Sequence, residues 1–301
     1  MPSARSLTEA YLAERALRVS KETVRGDSAF LARFFDYLDG QGVSEVGAVT
    51  EGHLAGYGLF LRGRLSRWGR PLSTSFISRS LAVAKMFLVW GQQAGYVFLD
   101  FSSFPVTRPL QKLVLVPTVD QVRRLLDSPA LDTPEGLRDA LIYEFFYTLG
   151  LRAKESLRLD LGDVDAARGT VRVHGKGSRE RLLPLSPRLS ELVARYLQQG
   201  RPGLRPHADE TAFWIAAQTG RRLGYVTMKQ RLAAYGDLQN LKVHPHLLRH
   251  ACATHLLEAG AGVESIATLL GHKQANSTAH YARVSSKELA AEHGRCHPRA
   301  K

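Results

Sequence analysis

The sequence predicts a mainly α-helical protein with one small β-sheet, divided into two domains. Three observations carry that expectation. Apolar residues recur every three or four positions through most of the chain, as amphipathic helices require. The clear exception is residues 169–185, GTVRVHGKGSRERLLPL, where Val171 and Val173 alternate with polar neighbours, the turn GKGS follows, and a second apolar run closes a hairpin. At 301 residues the chain exceeds a usual single core and suits two domains of about 100 to 200 residues each.

The first domain, residues 1–106, is expected to be a bundle of about four helices. Leu31, Phe34, Phe35 and Leu38 form one apolar stripe, and Ile77, Leu81, Ala84 and Leu88 another. Ser20, Thr50 and Ser73 are candidate N-caps, and Gly40 and Gly95 candidate stops. Residues 102–117, SSFPVTRPLQKLVLVP, hold three prolines and no helical period, so 107–117 reads as an extended linker.

The second domain, 118–301, opens with a capping box from Thr118 to Gln121, ahead of Val122, Leu125 and Leu126. A longer helix starts at Thr133 and Pro134, carries Leu137, Leu141, Phe145 and Leu149 on one stripe, and stops at Gly150. After the hairpin, with Lys176 at or beside its tip, Ser186 and Pro187 start a helix through Leu189, Leu192, Val193, Tyr196 and Leu197. From about Val226 onward the pattern is mostly helical. It includes His244–Gly260, HPHLLRHACATHLLEAG, with Leu248, Ala251, Cys252, Leu256 and Ala259 as its core stripe. Ser285 to Glu288 is a further capping box, opening a short helix through Leu289 and Ala290 to about Gly294.

Charge points to the partner. Lys plus Arg is 41 against 28 for Asp plus Glu, a formal net charge of +13, which suits a polyanion because neutralised phosphates release counterions. Arg62, Arg64, Arg67, Arg70, Arg79 and Lys85 gather in and around one loop of the first domain, as either a solvated polar face or a DNA-facing one. Two cysteines, Cys252 and Cys296, exclude a disulfide framework and a four-cysteine zinc site. No run approaches the roughly 18 uninterrupted apolar residues of a membrane span. A cytosolic, reduced protein without membrane contact is expected.

Two chemistries compete for the histidine-rich helix. His246 and His250 are an i, i+4 pair, but a zinc hydrolase of that spacing needs a glutamate after the first histidine, where this chain has Leu247, and Arg249 would repel a dication. The phosphate reading fits better: His246 and Arg249, three apart, share a helix face near an N-terminus that itself favours anions. His255 and Cys252 are expected to pack in the core, and His250 borders the active face. HGKGS is not an NTPase phosphate loop, since Gly177 follows Lys176 where Ser or Thr should bind magnesium. No metal and no nucleotide cofactor is expected.

Together with TLGLRAKESLRL upstream and LLGHKQANSTAHYARV downstream, the HLLRH stretch resembles the tyrosine recombinase (phage integrase) family, in size and layout the Xer-type site-specific recombinases. The resemblance implies an N-terminal helical core-binding domain, SAM-like in fold, and a C-terminal α+β catalytic domain, closing on duplex DNA as a clamp. It implies a catalytic set of Arg152, Lys176, His246, Arg249, His272 and the nucleophile Tyr281, with Glu155 supporting Arg152. The expected reaction cleaves and rejoins DNA through a 3′-phosphotyrosine and a Holliday junction, in a homo-tetramer, or a hetero-tetramer with a related recombinase, at the nucleoid. By the same resemblance the last helix would pack on a neighbouring protomer. A non-cutting DNA-binding regulator of the same fold and a type IB topoisomerase are the rival functions.

Each matched residue also has a chemical reason to be there. Tyrosine, with a pKa near 10, needs a base nearby to attack at neutral pH. Two guanidiniums can chelate phosphate oxygens and stabilise a pentacoordinate transition state without a metal. A lysine on a hairpin can protonate the departing 5′ oxygen, and two histidines can share acid, base and hydrogen-bonding work.

Overall fold

Helix starts follow the local chemistry of the sequence. In the computed structural model, which describes residues 4–107, 115–175, 180–271 and 286–300, Ser20, Thr50, Ser73, Thr118, Thr133 and Ser186 each cap a helix by accepting a backbone N–H from the residue three positions on. The chain divides into two compact units, 1–113 and 114–301.

The first unit contains α1 (Ala4–Ala16), α2 (Lys21–Gly40), α3 (Glu51–Arg62) and α4 (Thr74–Gln93). Leu31, Phe34, Leu38, Ala84 and Leu88 are buried with Leu54 and Tyr57, while Phe35 and Leu81 lie at the margin of that core. Inside it sits a carboxylate. Asp27, fully buried, accepts from Arg15 Nε at 3.1 Å and Arg79 Nη2 at 2.7 Å, tying α1, α2 and α4 together. Lys85 donates to the carbonyls of Ser102 and Phe104, both at 2.7 Å, and so fastens that segment to α4.

The second unit begins with α5 (Val119–Leu126), α6 (Pro134–Thr148) and α7 (Ala153–Leu157). Next comes an antiparallel sheet, β1 (Val164–Asp165), β2 (Thr170–His174) and β3 (Glu180–Pro184), in that order, with Val171 opposite Leu183 and His174 opposite Glu180. The short β1 has no sequence signal of its own. Then follow α8 (Pro187–Arg195), a π-helical turn over Tyr196–Gly200, α9 (Arg201–Gly203), α10 (Tyr225–Leu238), α11 (Pro245–Glu258), α12 (Val263–Leu270) and α13 (Ser286–Cys296). No helix among the described residues is long and apolar enough to cross a membrane.

The unit is organised about α6. The sequence indicates a single apolar stripe there, but every residue from Gly136 to Thr148 is buried. The stripe is only part of the burial, since the other faces combine further apolar residues, Ile142, Tyr143 and Phe146 among them, with paired charge. Arg138 bonds Asp139 and the Ile215 carbonyl, and Glu144 pairs with Arg299. Cys252 and His255 of α11 pack in the core as expected, His255 Nδ1 lying 2.8 Å from the Tyr147 hydroxyl, whereas Ala259 at the end of the stripe is exposed.

The last helix departs from expectation twice. It continues past Gly294 to Cys296, and it packs on its own unit. The end of α6 leaves carbonyls without intrahelical partners. His293 Nε2 donates to the Thr148 carbonyl at 2.7 Å and His297 Nε2 to the Tyr147 carbonyl at 3.2 Å. The two imidazoles stack 4.8 Å apart. Arg299 then pairs with Glu144 and, at 3.0 Å, with Asp127.

These imidazoles are held neutral. Burial, then the charge of His293, pushes His297 down to about 3, and burial also lowers His293 and His255. Unfolding would return each to near 6.5 and take up a proton, so their contribution is complete above about pH 6.5 and is lost as pH falls. Each such histidine should cost up to about 1.4 kcal/mol per pH unit below that point. The midpoint of thermal unfolding should therefore drop between about pH 7 and pH 5, and His297→Leu should flatten the dependence. A midpoint constant over that window would contradict the buried neutral pair.

Candidate active site

Two turns with left-handed glycines bring the arginines together. Gly150, at φ 59°, follows α6, and Gly271, at φ 62°, caps α12. A side chain is disfavoured at both by the positive φ, and a Cβ on Gly150 would also strike Leu270 while one on Gly271 would lie a tight 3.1 Å from Arg181 Nη1. Both expose carbonyls to guanidiniums.

Arg152 is the N-cap of α7. Glu155, one turn on, accepts the Arg152 backbone N–H at 3.0 Å through Oε2 and Arg152 Nη1 at 2.6 Å through Oε1. Arg152 Nη2 reaches the Gly271 carbonyl at 3.3 Å. Its side chain stays 39% exposed while that of Glu155 is 7% exposed, so Arg152 is the more accessible of the pair.

Arg249 projects from α11 into the same corner and is buried. It donates through Nη1 to the Gly150 carbonyl and through Nη2 to the Leu270 carbonyl at 2.7 Å. Burial, then the charge of Arg152, lowers its pKa to about 10, with Arg181 adding to the effect and Glu155 opposing it. It remains protonated at neutral pH, but an anion beside it would relieve both penalties.

His246 is exposed in the first turn of α11, behind Pro245, with His244 as N-cap accepting the Leu247 N–H at 3.1 Å. Burial, then the neighbouring charge of His246, lowers the His244 pKa. His250 is also exposed. Lys176, His272 and Tyr281 lie outside the described residues. Of the sequence-derived set, the structure thus groups Arg152, Glu155 and Arg249, with His246 one turn before Arg249 on α11.

Sequence reasoning missed Arg181. On β3 it donates through Nη2 to Glu155 Oε2 at 2.9 Å, through Nη1 to Oε1 at 3.3 Å, and through Nε to the Leu269 carbonyl at 3.2 Å. A signal was present: Arg181 is in phase with Leu183 and Leu185, so an arginine occupies an inward position of an amphipathic strand. Burial alone would raise the Glu155 pKa, but hydrogen bonds and charge from Arg181, then from Arg152, outweigh it and hold the carboxylate below its usual range.

Residues 116–288 match the profile of the phage integrase family. The chain belongs to that family. It is 32% identical to the tyrosine recombinase XerD of Bifidobacterium longum, over 98% of each chain. It is also 32% identical to the tyrosine recombinase XerC of Oceanobacillus iheyensis, over 89% of this chain and 87% of that one. The fold is that of the Tn1549 transposon integrase solved in complex with circular intermediate DNA, with a TM-score of 0.69 at 18% identity over 97% of this chain and 99% of that one.

In this phage integrase family member the basic residues of the first unit divide into two groups. Arg62, Arg64, Arg67 and Arg70 are exposed, on and after the end of α3, and Arg67 lies 4.4 Å over the ring of the exposed Trp68. Arg79 and Lys85 instead lie on α4 and are engaged by Asp27 and by the Ser102 and Phe104 carbonyls. They are bundle ties, with less freedom to meet a partner.

The corner formed by Arg152, Arg181 and Arg249 places three guanidiniums around one carboxylate, an excess of positive charge that an anion would offset. Inorganic phosphate at about ten times its dissociation constant should therefore stabilise the protein by about 1.4 kcal/mol, a rise of roughly 2 to 4 °C in midpoint. Arg249→Met should lose that specific rise while keeping the general effect of an excluded salt. Equal rises in the two proteins would argue against an anion seat.

Proposed function

We propose that this chain is a site-specific recombinase that cleaves and rejoins duplex DNA through a covalent phosphotyrosine, and the observation that carries the reading is the buried, carbonyl-bonded Arg249 set beside Arg152, whose guanidinium is paired with Glu155. Such a corner suits a phosphodiester whose negative charge grows as it is attacked. Arg152 and Arg249 bind the non-bridging oxygens and meet that charge with donors already in place, so little reorganisation accompanies the reaction. This is the work a metal performs elsewhere, and the reaction needs neither metal nor ATP.

Tyr281 is the nucleophile. Its phenolic oxygen forms a bond to phosphorus as the bond to the 5′ oxygen breaks, leaving a 3′-phosphotyrosine and a free 5′ hydroxyl. The energy of the ester is retained, and attack by a 5′ hydroxyl reverses the step. Lys176 protonates the departing oxygen, and His246 and His272 share acid, base and hydrogen-bonding roles. Glu155 supports Arg152. Residues 1–106 form a core-binding domain whose Arg62, Arg64, Arg67 and Arg70 meet backbone phosphates, 107–117 a linker, and 118–301 the catalytic domain.

Exchange between two sites proceeds in a tetramer of this chain, alone or with a related recombinase, through a Holliday junction on nucleoid DNA. XerH bound to difH substrate and the λ integrase tetramer bound to a Holliday junction are neighbours in fold that support this assembly by analogy.

Incubation with sheared genomic DNA, followed by denaturation and recovery of protein-linked fragments, tests the activity and yields the site. Tyr281→Phe should bind DNA like the wild type and form no adduct. An adduct resistant to detergent from that variant would remove Tyr281 from the mechanism, and a wild-type protein that binds without any adduct would indicate a regulator. Recombination between two copies of the recovered site separates a recombinase from a type IB topoisomerase.

The role of Lys176 has its own test. Replacing the bridging 5′ oxygen with sulfur gives a leaving group that needs no proton. Lys176→Ala should be slowed by about 10² to 10⁴-fold on normal DNA, and should approach the wild-type rate on the sulfur substrate. Equal defects on both would mean that the lysine positions DNA and that the proton comes from elsewhere.

A further inference from the structure

The geometry points to Arg181 as a positioning residue for the cleavage reaction, one that occupies Glu155 so that the guanidinium of Arg152 stays presented to phosphate. The inference rests on the proposed reading of the site as a phosphodiester-cleaving centre.

The two arginines share one carboxylate unequally. Arg181 directs Nη1 and Nη2 to the two oxygens of Glu155 and Nε to the Leu269 carbonyl, and its side chain is only 16% exposed. Each of its three guanidinium nitrogens donates a bond to the protein, where Arg152 uses two of its three. Arg152 makes one side-chain bond to Glu155, through Nη1, and its side chain is 39% exposed. Arg181 is therefore the buttress, and Arg152 is the group with donors to spare.

The arrangement also spans the site. Glu155 lies on α7, Arg181 on β3, and Leu269 at the end of α12, with Arg152 bonding the Gly271 carbonyl just beyond. One guanidinium thus sets three separate elements at fixed distances from one another. With Arg181 removed, Glu155 would keep Arg152 as its side-chain partner among the described residues. A carboxylate with a single arginine favours the two-bond fork, which would draw Arg152 onto Glu155 and away from a phosphate oxygen.

The effect should appear in the rate of chemistry and not in binding. The substrate is a nicked duplex carrying the site to which the wild-type protein becomes attached, and the readout is single-turnover adduct formation, resolved into rate constant and amplitude. Arg181→Met should bind that duplex within about twofold of wild type and cleave about 10 to 10²-fold more slowly, the scale on which a misplacement of about 1 Å acts. Arg181→Lys, which keeps a charge and a donor, should recover part of the rate. In a Glu155→Gln background, Arg181→Met should change the rate by less than about twofold, because its effect passes through the carboxylate.

A merely structural role would lower the amplitude, as the active fraction falls, with the rate constant intact. That result overturns the inference, as does a wild-type rate in Arg181→Met or a full, multiplicative loss in the double variant. If Arg181→Met does not fold, Arg181→Lys alone and in the Glu155→Gln background carries the same comparison through the rate constant. A wild-type protein that forms no adduct overturns the proposed activity and this inference with it. An adduct from wild type together with an unslowed Arg181→Met overturns this inference alone.

Discussion

Positive charge held against positive charge is the constraint around which the second unit is arranged. Arg249 is buried with no carboxylate bonded to it among the described residues, Arg152 lies close enough to lower its pKa, and Arg181 adds to the repulsion. Such a corner is costly to assemble, because each guanidinium gives up water and gains like-charged neighbours. Three features offset that cost. Glu155 is shared by two arginines, carbonyls of the two glycine turns and of Leu270 accept from Arg152 and Arg249, and Arg152 keeps part of its surface in solvent. The positive charge left unbalanced among the described residues would favour an anion there.

Placement of the corner at the end of α6 follows from the helix dipole. The C-terminal end of a helix carries partial negative charge and unpaired carbonyls, so cations and N–H donors are favoured there. A phosphate is favoured at the opposite kind of end. The first turn of α11 provides one, with His246 exposed in it, and α7 starts at Arg152 itself. Arg249 of α11 and Arg152 at the start of α7 thus meet beside the turn that ends α6, where carbonyls favour their charge.

Much of this was legible in the sequence, for reasons that are local. Thr118 with Gln121, Thr133 with Pro134, and Ser186 with Pro187 mark helix starts through bonds made within one turn, and each is realised. Arg152, Glu155, His246 and Arg249 were found because motifs on single elements carry them. What escaped depends on contacts between elements distant in the chain. The all-round burial of α6 is produced by partners as far away as Ile215 and Arg299, so its apolar stripe understates it. Arg79 and Lys85 read as free surface charge because Asp27 and the carbonyls of Ser102 and Phe104 are recruited only by folding. Arg181 was overlooked because a basic residue in a strand next to a basic turn looks solvated. Only its phase relative to Leu183 shows that it points inward.

The end of α6 also explains why the last helix matters to a site it does not enter. Of the carbonyls left over there, that of Phe145 is taken by the Leu151 N–H at 3.3 Å, those of Tyr147 and Thr148 by His297 and His293, and that of Gly150 by Arg249. The segment from which Arg152 emerges is therefore satisfied by its own chain, by α13 with the residue after it, and by α11. Removing any one donor leaves a buried acceptor unpaired, at a cost of about 1 to 3 kcal/mol. Placement of Arg152 is thus a property of the whole terminus of α6, and the Nε2–H groups of two buried histidines are part of it.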